Sequence, residues 1–356
     1  MAEKVLMKGN EAIAEAAIAV GCRHYFGYPI TPQTEIAAYM AKRMPKIDGC
    51  FLQAESEIAA IHMVIGAAAA GKRAMTSSSS PGIALKSEGL SYLAGCDLPA
   101  VVVNIQRGGP GLGGIQPSQA DYFQCTKGGG HGDYRMVVLA PSGVQEMYDY
   151  TAWAFEIADQ YRVTSMIFSD GILGQMMEPV ELRASRQETP QEGKPWALTG
   201  TRGQREPNII NSLFMQPEDL ERMNLERFVR YAQIEAGETR WEEYLLEDAK
   251  IVVVAYGAAA RIAKNAVQAA RTQGKRVGLL RPITLWPFPK QPLERLAKRV
   301  RAFVCVEMSM GQMREDVELA TRCQRPVYLC ARTGGMVPAP EEILGKLEDA
   351  SHGCCV

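Results

Sequence analysis

RAMTSSSSPGIALKSEGLSYLAGCDLPAVVVNI, running from Arg73 to Ile105, reads as strand, helix and strand in turn. Arg73 to Ser77 is a short strand closed by Ser-Pro-Gly punctuation, and Gly82 to Ala94 has the length of a helix. Ala100 to Ile105 is an unbroken apolar run, the pattern of a strand covered on both faces. Two strands joined through a helix lie parallel, because a tight turn cannot connect them. Upstream, Asn10 to Val20 reads as an Ala-rich helix with Asn10 as its N-cap and Gly21 as its stop. Then come strand His24 to Tyr28, a helix opened by Thr31-Pro32 and running to Met44, strand Cys50 to Ala54, and helix Ser56 to Ala70 ended by Gly71. Downstream, past a Gly-rich loop, come strand Met136 to Ala140, helix Val144 to Asp159 and strand Thr164 to Phe168. This alternation predicts an α/β fold built on a parallel sheet.

Arg183 to Glu247 breaks the pattern: it is polar and charged, and reads as a linker with helices that holds a domain boundary. The alternation returns at Lys250. Strand Ile251 to Tyr256, helix Gly257 to Gln273 and strand Lys275 to Leu280 precede a Pro-punctuated loop, Arg281 to Pro289. Helix Leu293 to Val300, strand Ala302 to Glu307, helix Gln312 to Leu319 and strand Pro326 to Leu329 follow. We expect two domains, residues 1–235 and a smaller one over 236–356.

The net charge of −1 leaves no electrostatic footprint for nucleic acid or anionic membrane. The most apolar stretch, Ile58 to Ala70, is broken by His62 and far too short to span a bilayer. The N-terminus carries no signal-peptide pattern, so a cytoplasmic location is expected. None of the nine cysteines forms Cys-x-x-Cys, and the four histidines have no metal-ligand spacing. No metal site is expected in this chain.

Four segments lie where a predicted strand ends, the edge at which open α/β sheets bind ligands. Gly27-Tyr-Pro-Ile-Thr-Pro-Gln-Thr-Glu35 places Thr31 to cap a helix or to face an anion. Gln53-Ala-Glu-Ser-Glu57 puts acids at the start of an apolar helix, as caps or as functional carboxylates. Thr76-Ser-Ser-Ser-Ser-Pro-Gly82 could solvate a phosphate or a polar ring, or be a flexible loop. Arg107 follows an apolar strand and precedes Gly108-Gly-Pro-Gly-Leu-Gly-Gly114, a position that favours a carboxylate partner. Gly109-x-Gly111-x-x-Gly114 mimics a dinucleotide fingerprint, but Pro110 and the continuation Ile115-Gln-Pro-Ser do not open a helix. Gly128-Gly-Gly-His-Gly-Asp133 reads as a surface loop.

In this order and spacing, Tyr28-Pro-Ile-Thr-Pro32, Glu55-Ser-Glu57, Thr76-Ser-Ser-Ser-Ser-Pro-Gly82 and Arg107-Gly-Gly-Pro110 resemble the alpha-type subunit of 2-oxoacid:ferredoxin oxidoreductases, most of all the branched-chain (2-oxoisovalerate) type. Lys127-Gly-Gly-Gly-His-Gly-Asp-Tyr134, Gly174-Gln-Met-Met-Glu-Pro179, Arg281-Pro-Ile-Thr-Leu-Trp-Pro287 and Glu307-Met-Ser-Met-Gly-Gln312 extend the resemblance over nearly the whole chain. It implies a pyrimidine-binding thiamine diphosphate domain followed by a transketolase C-terminal-like domain. It implies that Glu57 hydrogen-bonds the aminopyrimidine ring and so promotes loss of the thiazolium C2 proton. Thr31 and Arg107 would clamp the substrate carboxylate, and Tyr28, Pro29 and Ile30 would line the cofactor pocket. The activity implied is coenzyme A-dependent oxidative decarboxylation of a 2-oxoacid, with electrons passing to ferredoxin. No Gly-Asp-Gly precedes an Asn at the family spacing; Ser169-Asp170-Gly171 is the nearest match. Magnesium and iron–sulfur clusters would therefore sit in partner subunits: a diphosphate-binding subunit, a gamma-type subunit and a ferredoxin-like subunit. A half-subunit of a non-redox thiamine diphosphate transferase or decarboxylase, or a non-catalytic scaffold subunit, are the competing readings.

Overall fold

The structure is a computed structural model that describes residues 4–182 and 194–353; Cys354, Cys355 and the first part of the polar stretch after Leu182 lie outside them. The first half runs β1 (Lys4–Lys8), α1 (Gly9–Ala19), β2 (His24–Gly27), α2 (Thr34–Arg43), β3 (Cys50–Gln53), α3 (Glu57–Ala69), β4 (Ala74–Ser78), α4 (Ser80–Gly95), β5 (Ala100–Gln106), α5 (Tyr122–Thr126), β6 (Val137–Leu139), α6 (Val144–Tyr161), β7 (Thr164–Asp170), α7 (Gly171–Gln175) and β8 (Met177–Glu181). The second half runs α8 (Pro217–Glu238), β9 (Trp241–Tyr244), β10 (Ile251–Val254), α9 (Gly257–Thr272), β11 (Val277–Pro282), β12 (Thr284–Trp286), α10 (Lys290–Ala297), β13 (Ala302–Glu307), α11 (Gln312–Ala320), β14 (Val327–Ala331) and α12 (Pro340–His352).

The larger sheet has the order β12-β6-β7-β5-β4-β2-β3, parallel except for β12. Its central strand β5 is apolar without alternation because it faces two cores. Val102 joins one cluster, with Ile61, Leu90 and Phe168. Val101, Val103 and Ile105 join the other, with Ile13, Tyr25 and Phe155. The smaller sheet has the order β14-β13-β10-β11-β9, parallel except for β9. Among the described residues no helix is long and apolar enough to cross a membrane.

Three expectations change. Asn10 does not cap α1. The helix starts at Gly9, with Lys8 at the cap position. The buried Asn10 amide instead donates to Pro32 O and Glu35 Oε2, both at 2.8 Å. The Arg281–Pro289 segment is not only a loop: Thr284–Trp286 is β12, which leaves the second half of the chain to pair antiparallel with β6. The polar stretch carries a strand as well as a helix, since β9 pairs with β11.

The two halves are also joined by charge. Arg281 is buried and forks onto Glu146 of α6 at 2.7 and 2.8 Å, while its Nε reaches Glu242 at 2.8 Å. Burial pushes the Glu146 carboxyl up, but the Arg281 hydrogen bonds and charge, with help from Ser142, more than offset this and hold it below its ordinary value. Breaking such a pair strands its acids, although water reaches both here. Arg281→Ala should cost about 2–3 kcal/mol. A depressed carboxylate contributes fully above its unfolded value, about pH 4.3, and loses that contribution as pH falls through its folded value. The Tm gap between wild type and variant should therefore be full at neutral pH and shrink in acid. A gap that is flat with pH would remove the ion pair from the account.

Candidate active site

β2 and β4 are neighbours, yet the chain leaves them in opposite directions, β2 toward β3 and β4 toward β5. A crevice opens at the carboxyl ends of such strands. All four predicted segments end on that edge: Tyr28–Gln33 after β2, Gln53–Glu57 after β3, Ser78–Gly82 after β4, and Arg107 after β5.

Ser56 is the N-cap of α3, its Oγ accepting from the Ala59 N–H at 3.1 Å. The cap makes Glu57 the first residue of the helix, where the free N–H groups favour a negative charge. Glu57 is buried and Glu55 is exposed, so the two acids of the motif separate cleanly. Gly82 lies flush against this carboxylate. A Cβ there would stand 2.7 Å from Glu57 Oε1 and 2.1 Å from Ser78 Oγ.

The serine run is no flexible loop. Ser77, Ser78 and Ser79 are fully buried. Ser77 Oγ bridges the Tyr25 hydroxyl at 2.6 Å and Gln33 Oε1 at 2.5 Å, and Gln33 Nε2 donates to Tyr28 O at 3.2 Å. This chain of bonds ties the Tyr-Pro-Ile-Thr-Pro segment to β4. Among the described residues the hydroxyls of Ser78 and Ser79 have no partner.

Thr31 is not a helix cap. The Gln33 N–H bonds back to Ile30 O at 3.2 Å, closing a turn over residues 30–33, and α2 begins at Thr34. This turn and the two residues before it carry Thr31 and Pro29 exposed and Tyr28 and Ile30 half-buried. It also presents the Thr31 carbonyl to Arg107, whose Nη1 donates to it at 3.1 Å. Arg107 Nη2 donates to Leu112 O at 3.2 Å, and its buried Nε has no partner among the described residues. Among the described residues no carboxylate pairs with Arg107, which is 8% exposed.

Sequence reasoning missed what stands behind this arginine. Ser80 Oγ accepts from the Arg107 N–H at 3.1 Å and donates to Asp121 Oδ2 at 2.6 Å. Asn104 Nδ2 donates to the same oxygen at 2.9 Å. Burial pushes the Asp121 carboxyl up, against the Ser80 and Asn104 bonds. Asp121 is a lone acid in an aperiodic loop, and nothing local marks it.

The Gly-rich loop does not enter a helix. The Gly108 N–H bonds Gln116 O at 2.8 Å and the Gly114 N–H bonds Gly108 O at 2.9 Å, so it folds back on itself. Asp170 is the N-cap of α7, accepting from Ile172 N at 2.8 Å and Leu173 N at 3.3 Å. Burial pushes it up to about 6 against those bonds.

Residues 15–240 match the thiamine-diphosphate-binding family of pyruvate flavodoxin/ferredoxin oxidoreductases, and residues 249–343 match the core domain II family of pyruvate:ferredoxin oxidoreductase. The chain is 50% identical to the ketoisovalerate oxidoreductase subunit VorB of Methanothermobacter marburgensis, over 97% of each chain. The chain belongs to the 2-oxoacid:ferredoxin oxidoreductase family. It is an oxidoreductase subunit with a thiamine-diphosphate-binding domain, and its relatives are subunits of multi-subunit enzymes. It is also 40% identical to the 2-oxoglutarate synthase subunit KorA of Methanocaldococcus jannaschii, covering 95% of this chain and 97% of that one. A solved 2-oxoglutarate:ferredoxin oxidoreductase from Magnetococcus marinus superposes with a TM-score of 0.85 at 27% identity. The superposition covers 98% of this chain and 65% of that one. A split-gene transketolase shares the fold alone, at 13% identity and a TM-score of 0.60.

Proposed function

We propose that this chain supplies the pyrimidine-binding and carboxylate-binding half of a coenzyme A-dependent 2-oxoisovalerate:ferredoxin oxidoreductase. Arg107 carries the reading. A guanidinium this buried, held by two backbone carbonyls and paired with no described carboxylate, calls for an anionic partner, and a 2-oxoacid carboxylate is one. Thr31 beside it adds a hydroxyl. Glu57, the flush face of Gly82 and the Ser78 and Ser79 hydroxyls, which have no partner among the described residues, fit the polar edge of an aminopyrimidine ring, with Tyr28, Pro29 and Ile30 along the pocket. When bound, thiamine diphosphate supplies the nucleophilic carbon and the electron sink for decarboxylation. Glu57 would hold a proton against the ring, and Arg107 would orient the substrate.

We place the magnesium and cluster ligands in a diphosphate-binding subunit, a gamma-type subunit and a ferredoxin-like subunit, all cytoplasmic, because Asp170 is spent as a helix cap. We propose the same two-domain division at 235/236, the two halves interlocking through β12. The branched-chain choice rests on the 50% identity to VorB against 36–40% to the KorA chains. The exposed Leu112, whose carbonyl meets Arg107, adds apolar surface that suits an isopropyl group.

The test is a substrate panel on the co-purified complex with a viologen dye as acceptor. We expect kcat/KM for 2-oxoisovalerate to exceed that for 2-oxoglutarate, and the isolated chain to be inactive. The reverse preference would overturn the substrate, and turnover by the chain alone would overturn the half-site.

A further inference from the structure

Lys86 of α4 is wholly buried. Gly82, Lys86 and Gly89 stand at i, i+4 and i+7, one stripe of the helix. The two glycines show that this stripe faces α3 at very close range. A Cβ on Gly82 would come within 2.7 Å of Glu57 Oε1, and one on Gly89 within 2.4 Å of Ile61 Cγ2. An apolar side chain is the ordinary occupant of the position between them. Instead an ammonium is enclosed there, which costs stability unless its charge is used. Its Nζ donates to the backbone carbonyl of Glu57 at 3.1 Å, and among the described residues no carboxylate forms an ion pair with it. Burial brings Lys86 down to about 8, and the Glu57 charge offsets part of that.

We infer that Lys86 is a positioning residue for Glu57: it anchors the first turn of α3 and lays a positive field on the Glu57 carboxylate. The inference rests on the role given to Glu57 above. Its sign is definite. A nearby cation lowers the proton affinity of a carboxylate. A proton shared between Glu57 and a ring nitrogen of thiamine diphosphate is thereby shifted toward the ring. Around Glu57, Lys86 on α4 is the facing cation, Ser78 at the end of β4 is a neutral hydroxyl, and Glu55 is exposed.

The test is an infrared titration of the full chain with its co-purifying subunits. The Glu57 carboxyl band is isolated as the difference between each protein and its E57Q counterpart. K86M should move the Glu57 band upward in pH, whereas K86R should leave it near its wild-type position. K86Q retains a donor for the Glu57 carbonyl without the charge, so it should behave as K86M does. An unchanged midpoint in a folded K86M or K86Q protein overturns the inference. If neither neutral variant folds, the pH dependence of thiamine diphosphate affinity decides. Wild type should show a step near pH 8 that K86R, which stays charged, lacks, and identical profiles overturn the inference. Full turnover by a folded E57Q protein would instead remove Glu57 from the reaction, a failure read separately from any effect of Lys86 on its titration.

Discussion

Glu57→Gln should lower 2-oxoacid turnover by a factor on the order of 10²–10⁴ and leave the fold in place, the range expected when a positioned acid–base group is lost. The fold should survive because glutamine keeps the shape of the side chain. The Ser56 cap and the bond from Lys86 to the Glu57 carbonyl are both independent of the carboxylate. What glutamine cannot do is hold and return a proton. The readout closest to that step is exchange of the C2 proton of bound thiamine diphosphate, followed by NMR in the assembled complex. Near-normal exchange in a folded variant would take Glu57 out of the mechanism. Glu55, which is exposed, would then be the acid left in the motif.

Arg107→Ala should lower kcat/KM by about 10²–10³, as expected when two charge-assisted hydrogen bonds to a carboxylate are lost together. The loss should fall on both KM and kcat, because a forked contact binds the substrate and also sets its angle to the attacking carbon. Arg107→Lys should recover little, since a point charge cannot reproduce the planar fork. The alternative is that Arg107 only braces the loop through Thr31 O and Leu112 O. In that case the Tm would fall while kcat/KM stayed near wild type. Thr31→Val should act in the same direction as Arg107→Ala but more weakly.

The sequence made the sheet legible because β5 and its neighbours are apolar on both faces, a pattern that few other folds require. It also made Glu57 and Arg107 legible, since each is a charge at the end of an apolar strand or at the start of an apolar helix. Thr31-Pro32 misled for a physical reason. Local chemistry favours a cap followed by Pro at the first helical position, but the segment is governed by Gln33, whose bond to Ser77 comes from tertiary structure. Thr284–Trp286 was hidden because three residues flanked by prolines have no strand signature of their own; β6 supplies the pairing. Lys86 carries no local signal in the sequence, and only the close approach of α3 encloses it.

That borrowed strand has a consequence for biosynthesis. β6 is internal to its sheet only while β12 covers it, and β12 is encoded after α8 to α9 and β9 to β11 have been made. The ribosome must therefore pass Trp286 before the first sheet can close. Until then the nascent chain exposes a bare edge, the kind of surface that pairs with other chains. A gene fragment that stops after α8 would encode most of the site residues discussed above, yet its product would keep that open edge and should self-associate.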